Sequence, residues 1–225
     1  MHIEWRGATL LVGLLHSGSR GSAVAFEYVP QWLAEPAAFA IDPTALPLRP
    51  GPHHRGELFG AISDCGPDRW GRVLIERAVR KKVLPQKPYR DLDYVLALHD
   101  TSRIGALRFK EPSGPFLAAN GGRLPPLVQL AALQRASDAI HGDTETAKDL
   151  RFLLGEGSPL GGARPKSAIR LADGALAIAK FPKPDDTRDI AAGEVLALDL
   201  AALAGIRVAE HRLVLAASKN VAVIT

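Results

Sequence analysis

Residues 155–169 read Gly155-Glu-Gly-Ser-Pro-Leu-Gly-Gly-Ala-Arg-Pro-Lys-Ser-Ala-Ile169. Two close glycine clusters flank a serine, and a lysine stands just before an apolar run. The run Ser167-Ala-Ile-Arg-Leu-Ala172 reads as a strand, and Ala175-Leu-Ala-Ile-Ala-Lys-Phe181 as the strand that returns from it. Asp173-Gly174 between them is the strongest short hairpin signal. A glycine-rich turn can bring backbone N–H groups close to phosphate oxygens, because glycine has no Cβ to clash. Lys180, near the end of the returning strand, can then reach those phosphates.

Two familiar phosphate loops fail on this stretch. Walker A requires G-x-x-x-x-G-K-[ST], but from Gly161 to Lys166 the spacing is one residue short and Pro165 stands in place of the second glycine. Proline has no N–H to offer a phosphate. A dinucleotide loop needs a strand before the glycines and a helix after them, whereas here a strand follows. The order loop, strand, Asp-Gly turn, strand with lysine is that of the smaller lobe of a protein kinase. That order predicts a helix after the lysine, carrying an acidic residue to pair with it. Residues Asp189 to Gly205 fit: Ile190, Leu196, Leu200 and Leu203 keep helical spacing, Gly205 suits the C-terminal end, and Glu194 lies in the first half. Lys180–Glu194 is the candidate ion pair. Two more strands are expected, at about His211 to Leu215 and Val221 to Thr225.

With these residues in hand the sequence resembles the HipA-type serine/threonine kinase toxins of bacterial type II toxin–antitoxin systems. The resemblance is carried by Gly161-Gly-Ala-Arg-Pro-Lys166, Ala179-Lys-Phe-Pro182 and Glu194, and upstream by Pro67-Asp-Arg-Trp-Gly71 and Ile104-Gly-Ala-Leu-Arg-Phe109, all in the family's order. It implies an α+β chain in two parts. Residues 1–120 would be the family's N-terminal subdomain, and residues 121–225 a kinase-like N-lobe with an antiparallel five-stranded sheet and one helix, ending at the hinge with the C-lobe absent. It implies ATP and Mg2+ as cofactors, with Gly161, Gly162, Ala163, Arg164, Pro165, Lys166, Lys180 and Glu194 facing the nucleotide. Ser158 is the implied autophosphorylation site, since a phosphate there would add negative charge beside the nucleotide's own and eject the loop. The implied partners are a HipB-like helix-turn-helix antitoxin, operator DNA reached through that antitoxin, and a protein substrate, an aminoacyl-tRNA synthetase in known cases. Kinase chemistry also needs a catalytic-loop aspartate and a metal-holding aspartate. No H-R-D-like or D-F-G-like segment occurs here. The chain alone is therefore expected to position a nucleotide without transferring phosphate, with Mg2+ ligands and catalytic residues outside it. The alternative is a stand-alone module that docks an antitoxin or other partner without catalysis.

The rest of the sequence narrows the class further. Its 225 residues carry 28 basic and 24 acidic side chains, a net charge of +4, which permits contact with nucleic acid without arguing for it. Cys65 is the single cysteine and excludes an intrachain disulfide. No apolar run reaches the length of a membrane span, and the N-terminus lacks a signal-peptide pattern. A cytoplasmic location without membrane contact is the expectation.

In chain order, Thr9–Leu15 and Ser22–Tyr28 read as a hairpin closed by 16–21, Pro30–Ala34 as a helical turn, and Ala38–Ile41 as a strand. Asp42–Arg55 reads as a proline-rich loop. His53-His54 in that loop lacks Cys, Asp or Glu at ligand spacing, so no metal site is expected. Pro67–Lys82 reads as a helix with Trp70, Val73, Leu74 and Ala78 toward the core and a basic outer face including Arg69, Arg72, Arg77, Arg80, Lys81 and Lys82. Asp64 and Asp68 read as helix-capping residues rather than a catalytic pair. Asp91–His99 and Leu127–Ile140 read as helices, Gly105–Phe109 as a strand, and Glu111–Pro126 as a linker.

Overall fold

The computed structural model describes residues 1–18, 23–98, 100, 103, 105–117, 129–155 and 162–225. It is a mixed α+β chain in which every strand pair is antiparallel. Two compact units form: Met1–Pro67 with Pro88–Gly121, and Asp68–Lys87 with Gly122–Thr225. The segment Asp68–Lys87 thus belongs with the C-terminal part, an exchange that one division near residue 120 does not contain.

The first unit holds β1 (His2–Trp5), β2 (Ala8–Leu11), β3 (Gly13–Ser17), β4 (Val24–Tyr28), the helical turn α1 (Pro30–Leu33), β5 (His53–Arg55) and α2 (Gly60–Ser63). After α3 (Arg69–Arg80), which belongs to the second unit, come α4 (Asp91–Leu96) and β6 (Leu107–Arg108). The sheets run β2-β1-β6 and β3-β4-β5. The apolar stretch Thr9–Leu15 is not one strand. Leu10 pairs with Ile3 in one sheet, Leu15 pairs with Phe26 in the other, and wholly buried Val12 lies between. Gly13 makes the change of sheet possible, because a Cβ there would lie 2.4 Å from both the Glu27 carbonyl oxygen and the Phe26 ring. Unbroken apolar runs carry no period that could mark such a division.

Ala38–Ile41 forms no strand; side chains hold it instead. The Tyr28 hydroxyl accepts from the Ile41 N–H at 2.9 Å and donates to the Leu46 carbonyl at 2.8 Å, and Trp32 Nε1 donates to the Phe39 carbonyl at 3.3 Å. The two histidines expected in a loop lie on β5, where His53 pairs with Phe26 and is buried edge-on to Tyr28. Arg103 is a buried cation of this unit. Its guanidinium donates to the carbonyls of Cys65, Val95 and Leu98 at 3.2, 2.8 and 3.1 Å and covers the Phe109 ring. Burial pulls its pKa down to about 10, so it stays charged at neutral pH. Lysine cannot reproduce this planar fork, so Arg103→Lys is expected to cost about 1–2 kcal/mol, read from urea denaturation. An unchanged midpoint would refute the staple.

The second unit adds α5 (Leu130–His141), α6 (Ala147–Gly155), β7 (Lys166–Arg170), β8 (Leu176–Lys180), α7 (Ile190–Leu203), β9 (His211–Ala216) and β10 (Lys219–Ile224). Its sheet has the order β7-β8-β10-β9, so four strands, not the expected five, make it up among the described residues. The segment before the loop forms the helix α6, on which Leu150 and Leu153 recur at helical spacing and are fully buried. Strand alternation sends Ile169, Ala177, Ala179, Val221 and Val223 into one core with Trp70, Leu133, Ile140, Leu150 and Leu153. Lys166 and Lys180 alternate to the opposite face, the face that α7 approaches through Glu194. The leucines that keep helical spacing on α7 do not form a buried face. Leu196, Leu200 and Leu203 are 57%, 56% and 84% exposed, and Ala191 is the buried residue of the helix. A helix apolar nearly all round has no periodicity from which to choose a face.

Candidate functional site

The site grows from the β7–β8 hairpin. Lys166 opens β7 and pairs in register with Lys180, which closes β8. The Phe181 N–H donates to the Pro165 carbonyl at 2.9 Å, which extends the hairpin to the edge of the glycine-rich stretch. Of the turn residues only Gly174 takes a left-handed φ, and Asp173 accepts from the Ala175 N–H at 2.9 Å. Glu194, on the first turns of α7, forms an ion pair with Lys180, and both side chains are about one-third exposed. The Asp189 side chain caps that helix by accepting from the Ala192 N–H at 2.9 Å. The expected pair is thus formed, and its carboxylate comes from a helix whose start is firmly set.

A cleft of about 150 Å3 opens beside the pair, lined in part by Ala163, Arg164, Lys166, Lys180 and Glu194. Small-molecule sites usually span about 300–1,000 Å3, so this space suits a phosphate group rather than a whole nucleotide. Three cationic side chains and one carboxylate line it. Burial, and then the charge of Lys180, pull the Lys166 ammonium below its ordinary pKa, against Asp68 and Glu194. An anion entering the cleft would relieve that repulsion. Arg164 is steered by an ion pair with Asp186. Desolvation is the largest single influence on the Asp186 carboxyl and would raise it, but the hydrogen bonds from Arg164 and the Lys183 N–H, with the charges of both residues, together outweigh it and the pKa is lowered.

Gly162 adopts φ +96°, and a Cβ there would lie 2.4 Å from Lys166 Nζ, so the lysine head sits directly on the glycine backbone. The Gly162 N–H donates to Asp68, and its carbonyl accepts from the Trp70 N–H at 3.2 Å. The sequence reading missed Asp68 and Asp186 as neighbours of this loop. No local signal reveals a partner that lies 94 residues away. It also assigned Asp68 to capping its own helix. Asp68 does occupy the N-cap of α3, but its side chain makes no cap hydrogen bond, and Asp64 lies at the C-terminal end of α2. Ser158 and Gly161 lie outside the described residues. Among the described residues no three His, Cys, Asp or Glu side chains gather to hold a metal ion. No helix among them is long and apolar enough to cross a membrane.

Residues 7–110 match the model of the HipA N-terminal domain, and residues 158–225 match the model of the HipA-like C-terminal domain. The chain belongs to the HipA family. The HipA N-terminal match takes in all the strands of the first unit except β1, while the HipA-like C-terminal match contains the hairpin, Lys180, α7 and the last two strands. No curated protein matches the chain.

Proposed function

We propose that this chain is the nucleotide-positioning part of a HipA-type serine/threonine protein kinase toxin, with the β7–β8 hairpin, α7, β9 and β10 acting as a kinase-like N-lobe. The observation that carries the reading is the Lys180–Glu194 pair at the mouth of a cationic cleft of about 150 Å3. In protein kinases a strand lysine paired to a helix glutamate grips the nucleotide phosphates. The donor set fits a polyphosphate: Lys166, Lys180 and Arg164 supply charge, and the Gly162 backbone leaves room for close approach. ATP would supply the phosphoryl group. The residues of this chain would bind and orient its phosphates. Among the described residues that line the cleft the carboxylate is Glu194, which is engaged by Lys180, so these residues do not fit a Mg2+ cage. Phosphate transfer to a protein serine is expected to need aspartates that this sequence does not contain. A helix-turn-helix antitoxin of the HipB type, and operator DNA through it, are the proposed partners.

Titration of the chain with Mg·ATP in a calorimeter tests the reading. Saturable binding that competes with ADP and ATP analogues supports it, and no heat beyond dilution rejects it. The exposed leucines of α7 favour a second reading, a partner-docking module without nucleotide. Partner capture in the absence of any nucleotide binding would select it.

Ser158 is proposed as the autophosphorylated residue. Up to two added negative charges beside the loop would repel the nucleotide phosphates. In mass spectra of the catalytically active protein, phosphate is expected on Ser158. Phosphate on other residues and never on Ser158 rejects the assignment.

A further inference from the structure

The stretch Pro67-Asp-Arg-Trp-Gly71 is far from the glycine-rich loop in sequence, yet two of its residues take hold of Gly162 from both sides. Asp at an N-cap ordinarily accepts from an N–H of its own first turn. Asp68 does not; its carboxylate accepts the Gly162 N–H instead. The Trp70 N–H is one of the donors left without a partner at a helix start. It donates to the Gly162 carbonyl at 3.2 Å. The arrangement is reciprocal: the loop satisfies the helix, and the residue that would cap the helix holds the loop. α3 is a firm base for this, since Trp70, Leu74 and Ala78 are buried in the core of the second unit and Trp70 stacks on His141 at 5.7 Å.

We propose that Asp68 is a positioning residue for the phosphate-facing loop: its carboxylate, with the Trp70 N–H, clasps Gly162 so that Lys166 stays over the glycine backbone and across from Lys180. The proposal rests on the nucleotide reading above. Without the clasp, a glycine in the left-handed region is free to leave it, and the Lys166 head loses the surface it lies on. The negative charge of the carboxylate also favours the charged form of Lys166, against the burial and the Lys180 charge that lower its pKa.

The test uses the whole chain and two variants, Asp68→Asn and Asp68→Ala. Asparagine keeps an oxygen that can accept from Gly162, and alanine keeps none. Amide hydrogen exchange at Gly162, read by NMR, reports the clasp without any nucleotide. Protection is expected in wild type, retention of most of it in Asp68→Asn, and its loss in Asp68→Ala. Mg·ATP affinity is expected to fall about tenfold in Asp68→Ala and to stay within about threefold of wild type in Asp68→Asn, the size of effect expected for one charge-assisted hydrogen bond acting through the loop. Equal thermal midpoints for wild type and Asp68→Asn show that the comparison is made on folded protein. Unprotected Gly162 in wild type overturns the proposal, and so does Asp68→Ala binding Mg·ATP as well as or better than wild type, which would make Asp68 a competing anion. If wild type binds no Mg·ATP while Asp68→Ala still loses Gly162 protection, the nucleotide reading is overturned and the clasp itself is upheld.

Discussion

Lys180→Met is expected to weaken Mg·ATP binding by about 10- to 100-fold, the largest loss of affinity from any single side chain of the cleft. A hydrogen bond to a charged partner contributes about 1.5–3 kcal/mol, which converts to about that range. Methionine keeps the length of the stem and removes the charge, so the loss reads the ammonium rather than packing. The folded state should be nearly indifferent. The Lys180–Glu194 pair is about one-third exposed on each side, and such pairs contribute about 0–1 kcal/mol. Glu194→Gln keeps the cation but loosens its orientation, so a smaller loss of about three- to tenfold is expected. Calorimetry at one fixed salt concentration is required, because screening changes every cationic site. Equal affinity in Lys180→Met and wild type would remove the phosphate role from this lysine.

Trp70→Ala is expected to produce the largest loss of stability, about 3–5 kcal/mol, since emptying a buried aromatic site leaves a cavity as well as losing transfer energy. Trp70 is 4% exposed, packs among Leu74, Leu133, Ile140 and Ile169, and stacks on His141 with ring planes 16° apart. For a unit of this size that loss corresponds to a fall in melting temperature of roughly 10–20 °C. Trp70→Phe should cost much less, about 1 kcal/mol, because the indole N–H is buried with no hydrogen-bond partner among the described residues and phenylalanine removes that burden along with some volume. Scanning calorimetry of both variants decides the matter. If alanine and phenylalanine were equally mild, the indole would not be a keystone of this core.

The hairpin, its Asp-Gly turn and the helix with Glu194 were legible because each is a local signal: alternation, turn chemistry, and an N-cap aspartate ahead of an apolar run. The Lys180–Glu194 pair followed from order along the chain alone, and the geometry forms it. Other features were not legible, for stated physical reasons. Thr9–Leu15 divides between two sheets because a steric constraint at Gly13, not a change of residue type, ends one strand and starts the next. His53 joins a strand because β4 offers it an open edge, which proline-rich composition conceals. α6, a segment to which the sequence reading gave no element, forms because Leu150 and Leu153 recur at helical spacing and face the core.

The amino-acid sequence by itself determined the elements of the candidate site and their order: a glycine-rich stretch, a hairpin with lysines at Lys166 and Lys180, and a helix carrying Glu194. These depend on residues close in the chain, where propensity and period act directly. Only the tertiary structure decided which helix holds the loop, which face of α7 is buried, and that Asp68–Lys87 belongs with the C-terminal unit. Those outcomes depend on contacts between residues far apart in sequence. An N-cap carboxylate can serve its own helix or a glycine from elsewhere, and the choice is made when the core around Trp70 brings that glycine within reach.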